Sequence, residues 1–122
     1  MRKLRKVRII VQPIEAVGER WAKALKGKVR SPKGVEIISI GSWGVLARLL
    51  SPPRLQILTI IPQQKPKSIA QLARQLDRDF KNVHADVRFL ADLGLIDLRE
   101  EGARKTLVAV AKYSEIELPL TA

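Results

Sequence analysis

DRDFKNVHADVRFLADLGLIDL, residues 77–98, decides the fold. Asp79 suits a helix N-cap, because its short side-chain oxygen can accept one of the backbone N–H groups that a first turn leaves unpaired. Phe80, Val83, Val87 and Leu90 recur at helical spacing and are expected to form the buried stripe. Gly94 falls where a helix closes through the left-handed region. Beyond it the apolar period shortens from helical to alternating. Leu95-Ile96-Asp97-Leu98-Arg99 is strand-like, Glu101-Gly102-Ala103-Arg104 is a turn, and a second strand runs from Lys105 to Ala111. Together they predict a β-hairpin.

Upstream, Ser68-Ile69-Ala70-Gln71 has the spacing of a capping box, with serine at the cap and glutamine three residues on. Ile69, Leu72, Ala73 and Leu76 supply a stripe for a short helix that stops at Asp77-Arg78. Before it, Ser51-Pro52-Pro53 opens a helix, since proline is tolerated where backbone N–H groups have no partner. That helix is expected to end near Pro62, whose ring and missing N–H oppose continuation. Three helices, the second short and the third capped, followed at once by a hairpin, define the order of a winged helix-turn-helix. In such a module a helix fits the DNA major groove and its N-terminal half reads base edges.

Residues 1–50 read as a β-α-β extension and a short helix. LRKVRIIVQ, 4–12, alternates as a strand; Pro13 starts a helix on which Ile14, Val17, Trp21 and Leu25 share a face; VEIISI, 35–40, is a second strand. Ser42 can cap the short helix that begins at Trp43, a residue that suits either core or interface. Residues 51–118 are the second domain, and YSEIELPLTA holds one more extended segment ended by Pro119. The fold class expected is therefore α+β.

Composition restricts the chemistry. The 122 residues contain no cysteine and one histidine, which excludes disulfides and thiolate metal sites and leaves almost nothing for a histidine-based one. Asp77, Asp79, Asp86 and Asp92 lack the spacing of a calcium loop. Asp79 is better read as a cap and Asp86 as a partner for a nearby base. No apolar run is long enough for a membrane span, and the N-terminus lacks a signal-peptide pattern, so a cytoplasmic protein is expected. Twenty-three Lys/Arg against twelve Asp/Glu give a net charge of +11, which favours a polyanionic partner. Residues 1–34 carry eleven of those bases against two acids, so any second anion-binding surface must be focused. Aromatic residues make up only 4%, too few for the stacking platform of a single-strand RNA binder.

On the wheel of residues 79–93, Lys81, Ala85, Arg88 and Asp92 point away from the stripe, with Asn82 and His84 on its flanks. Lysine and arginine suit phosphate or guanine, and asparagine can bond adenine through two hydrogen bonds. An ordinary solvated face has the same polarity; the flanking order of elements is what favours DNA. The candidate DNA-binding residues are Ser68, Arg78, Lys81, Asn82, His84, Arg88, Arg104 and Lys105. Glu100 and Glu101 oppose the last two. Arg2, Lys3, Arg5 and Lys6 are either a phosphate-contacting arm or the outward residues of a strand. Phe89 falls off the stripe, to pack under the hairpin or the N-terminal unit or in a dimer contact. As a catalytic base His84 lacks an orienting partner and a cleft. Neither enzyme activity nor a cofactor is expected.

Residues 51–118 resemble the small prokaryotic winged helix-turn-helix regulators of the haloarchaeal-type DNA-binding protein family, which are MarR-like. The stretches carrying the resemblance are SPPRLQILTII, KPKSIAQLARQL, DRDFKNVHADVRFLADLGLIDL and YSEIEL. Within them Arg78, Asp79, Lys81, Asn82, Val83, His84, Asp86 and Val87 match the family pattern. Ala85 stands where the family is often basic, and Pro62 replaces a helix-continuing residue. The resemblance implies sequence-specific binding of double-stranded DNA in transcription control, with a homodimeric repressor as the expectation. It also implies an alternative, an antitoxin-type module that neutralises a toxin protein and autoregulates its operon.

Overall fold

The computed structural model describes residues 5–12 and 34–120. Their elements are β1 (Arg5–Val11), β2 (Val35–Ile40), α1 (Trp43–Leu49), α2 (Pro52–Gln64), α3 (Ile69–Leu76), α4 (Phe80–Asp92), β3 (Ile96–Glu101), β4 (Thr106–Ala111) and β5 (Tyr113–Glu117). The class is α+β, with four helices, a parallel three-stranded sheet and a β-hairpin among the described residues. The helix expected over 14–25, the loop before Gly34, and Arg2 and Lys3 lie outside the described residues. No helix among the described residues is long and apolar enough to cross a membrane. The chain divides into two compact units, Met1–Arg48 with Tyr113–Ala122, and Leu49–Lys112.

In the first unit the strand order is β2-β1-β5, and β1 runs parallel to both neighbours. Alternation puts Val7 and Ile9 on one face, level with Ile38 and Ile116, and Val7, Ile9 and Ile40 are buried. The opposite face carries Lys6 and Arg8 in register with Glu115 and Glu117. Lys6 Nζ lies 3.5 and 3.4 Å from these two carboxylates, and Arg8 Nε donates to Glu117 at 2.7 Å. Arg8 with Lys6 alongside holds the Glu117 carboxyl below its ordinary range. Arg5 pairs with Glu36 at 3.2 Å, and the Tyr113 hydroxyl donates to the same carboxylate. Two expectations change here. The tail 113–117, grouped above with the hairpin domain, is a strand of this sheet. Residues 4–12, expected above to pair only within the N-terminal extension, supply the central strand, with β5 of the tail on one side. The reason is the same: Glu115 and Glu117 alternate in step with Lys6 and Arg8, so opposite charges meet across adjacent strands.

The second unit is built from α2, α3, α4 and the antiparallel pair β3–β4. Ile57, Ile61, Leu72, Val83, Val87 and Leu90 are at most 2% exposed, and Leu95, Ile96, Val108 and Ala109 complete the core from the hairpin. Each large side chain so buried contributes roughly 1.5–3 kcal/mol. Helix α2 continues through Pro62 to Gln64, past the expected stop. Pro62 stands in the last turn, where its missing N–H forfeits one intrahelical bond. The Lys65 N–H still donates to the Ile61 carbonyl at 2.9 Å, with Lys65 at φ 46° closing the helix.

Candidate nucleic-acid interface

From Ser68 to Gly94 each helix boundary is fixed by a side chain or a special backbone position. Ser68 Oγ accepts from the Gln71 N–H at 2.9 Å, while Gln71 Oε1 accepts from the Lys67 N–H at 2.6 Å. This reciprocal exchange is a capping box displaced by one residue. Helix α3 ends at Asp77, φ 53°, whose N–H donates to the Arg74 carbonyl, and the Arg78 N–H donates to that of Ala73. Asp79 then caps α4, its carboxylate accepting from the Asn82 N–H at 3.3 Å. The connection between the two helices is thus only Asp77-Arg78-Asp79. At the far end Gly94, φ 84°, donates to the Ala91 carbonyl and Leu95 to that of Leu90. That double closure needs a left-handed residue, which a side chain disfavours and glycine permits.

These boundaries orient α4. Val83, Val87 and Leu90 face the core, and Lys81, Asn82, Ala85, Arg88 and Asp92 are exposed, as the wheel predicts. His84 is half-buried on the flank. Phe80 departs from the expectation: it is 51% exposed rather than part of the buried stripe. As the first residue of α4 it has no preceding turn beneath it, and Val83, Val87 and Leu90 already fill the apolar face. Its ring meets that of His84 at a centroid distance of 5.8 Å and an interplanar angle of 39°.

The other flank of α4 holds a compact charge cluster. Asp86 lies 2.7 Å from Arg78 Nη2 and 3.2 Å from Arg54 Nε; the first is a directed hydrogen bond and the second an ionic contact without that geometry. The Arg54 guanidinium also lies 4.1 Å above the Phe89 ring, a cation–π arrangement. Phe89 is therefore accounted for inside this unit, against Arg54 of α2. Asp86 has the basic partner expected of it. Arg78, a candidate DNA contact, directs its charge inward to Asp86 and joins the α3–α4 turn to α4. Arg54 was not singled out by sequence reasoning, because the pair 54/86 is remote in the chain and no local spacing marks it.

The hairpin turns through Gly102, φ 77°, and Lys105, φ 52°, and exposes Arg104 and Lys105 beside Glu100 and Glu101. The remaining candidates belong to the first unit. Arg5 and Lys6 lie in β1, engaged with Glu36, Glu115 and Glu117, so from Arg5 onward the basic segment is an ordered strand. Trp43 is 61% exposed, which removes its core assignment. Among the described residues no group of three or more His, Cys, Asp or Glu could hold a metal ion.

These features define an α+β protein with a basic, exposed face on the helix that precedes a β-hairpin. Residues 49–118 match the model of the HVO_A0114 family, a haloarchaeal protein family, and the chain belongs to it. No curated protein matches the chain.

Proposed function

We propose that this protein is a winged helix-turn-helix, MarR-like regulator that binds double-stranded DNA through α4 and represses transcription as a homodimer. The observation carrying this reading is the outward face of α4 from Lys81 to Arg88. Lys81, Asn82, Ala85 and Arg88 are all exposed there, and the one acid in that stretch, Asp86, lies on the flank, turned to Arg54 and Arg78. A helix presents such a set to the major groove with Lys81 and Arg88 at phosphate or guanine and Asn82 at adenine. The short α3 and its three-residue turn support α4, and Arg104 and Lys105 at the hairpin tip reach toward phosphate. Ser68 keeps its hydroxyl proton for a phosphate oxygen while its Oγ caps α3. Two copies related by a two-fold axis would set two α4 helices about one helical turn of DNA apart. In this reading the protein acts in the cytoplasm, without a cofactor and without catalysis.

The test is titration of the protein onto duplex DNA at increasing salt. Displacement of counterions by several Lys/Arg predicts an affinity that falls steeply between about 50 and 200 mM salt. An affinity that stays flat over that range removes the electrostatic basis of the reading. The protein-partner alternative, an antitoxin-type module, would then take its place.

A further inference from the structure

We infer that Phe80 is a specificity-determining residue that reads thymine methyl groups in the major groove; the inference rests on the proposed DNA-binding role of α4. Phe80 is the first residue of the helix, immediately after the Asp79 cap, and half of its surface is open. The helix does not need it for folding, since Val83, Val87 and Leu90 complete the buried face. Its orientation is nonetheless constrained, because the ring leans on His84 one turn along. A large exposed aromatic is thus held at the leading end of a helix whose outward face carries Lys81 and Arg88. That charge selects a polyanion rather than an apolar protein surface as the facing partner.

The chemistry narrows the ligand. A phenyl ring has no donor or acceptor for the polar edges of guanine, cytosine or adenine. Thymine alone presents a methyl group in the major groove, and apolar contact to it is how a phenylalanine discriminates there. Insertion between base steps, the other use of an apolar side chain on DNA, belongs to minor-groove binders. Asn82 and Phe80 would then act as complementary readers: the amide on adenine, the ring on the thymine of the same or a neighbouring pair.

The experiment uses the full chain and a duplex enriched from a random double-stranded library. Its thymines are replaced by uracil, which removes the methyl and leaves every base-pairing group in place. Wild-type protein should bind the thymine duplex about fourfold more tightly than the uracil duplex for each methyl covered, the value expected for burying one such group. Phe80→Ala should bind both duplexes alike, at the affinity of wild type for the uracil form, with an unchanged circular dichroism spectrum. Equal binding of the two duplexes by wild type overturns the inference. So does a Phe80→Ala protein that keeps the full methyl dependence, which would pass the role to Ala85. A library from which no duplex is enriched at low salt overturns the DNA-binding reading itself, and the inference with it.

Discussion

Replacing Asp86 by alanine should destabilise the second unit by about 2 kcal/mol, a value between the two limits for ion pairs. Asp86 contacts both Arg54 and Arg78, and the three side chains are 14%, 20% and 23% exposed. Breaking a fully buried pair costs roughly 3–5 kcal/mol, because the remaining charge loses its compensation, whereas an exposed pair contributes about 0.2–1 kcal/mol. Here about a fifth of each guanidinium reaches water, so screening brings the figure below the buried limit. One Arg78 nitrogen, Nη1, is already buried without a hydrogen-bond partner, so that guanidinium has little local reserve once Asp86 is gone. Alanine recovers about half a kcal/mol through its better helix propensity, leaving a net loss near 2 kcal/mol. In urea, with a slope of roughly 1–3 kcal/mol/M, the midpoint of the helical circular dichroism transition should drop by about 1 M. A companion variant carrying Arg54→Leu, Arg78→Met and Asp86→Leu should lie within about 1 kcal/mol of wild type, because removing the whole cluster leaves no orphaned charge. A single Asp86→Ala protein that unfolds within about 0.5 kcal/mol of wild type would refute the assignment of this cluster as a half-buried brace, as such small changes are typical of open surface sites.

Two further outcomes follow from the first unit and from the proposed assembly. The Glu117 carboxyl is held below its ordinary value of 4.5, chiefly by the hydrogen bond from Arg8, so its contribution is complete above that pH and is lost as pH falls through the lowered folded value. Glu117→Gln should therefore flatten the acid limb of a plot of melting temperature against pH, and an acid limb identical to that of wild type would contradict it. The proposed homodimer predicts twice the chain mass at tens of micromolar by light scattering or sedimentation; with β1 enclosed on both sides, the sheet edges among the described residues are those of β2, β5 and the hairpin. A strictly monomeric mass, with and without DNA, would remove that part of the proposal.

The elements whose ends are punctuated locally were legible in the sequence. Ser68, Asp79 and Gly94 each act within five residues of themselves, so a cap or a closure can be read without knowing the fold. The alternation of Val7 and Ile9 predicts a strand in the same way. What was not legible depends on partners distant in the chain. Nothing in YSEIEL alone says that it pairs with β1, although its acids match the bases at Lys6 and Arg8 once the two are set side by side. Arg54, Asp86 and Phe89 come together only when α2 packs on α4. Pro62 misled for a different reason: the helix gives up one bond there but runs two residues further, because later bonds such as that from the Lys65 N–H to the Ile61 carbonyl do not use the missing hydrogen. Phe80 misled because a residue at the first helical position shares the angular position of the stripe but not its depth. The exposed set Lys81, Asn82, Ala85 and Arg88, by contrast, followed directly from the period of the helix.

Whether α4 reads sequence is decided by a single titration. Asn82→Ala and wild-type protein are each titrated onto the enriched duplex and onto a scrambled duplex of the same composition. If Asn82 makes a two-bond contact to adenine, the variant should lose about 1–3 kcal/mol on the enriched duplex and almost nothing on the scrambled one. An equal loss on both duplexes would make α4 a phosphate clamp, and no loss on either would contradict the docking of this helix in the major groove.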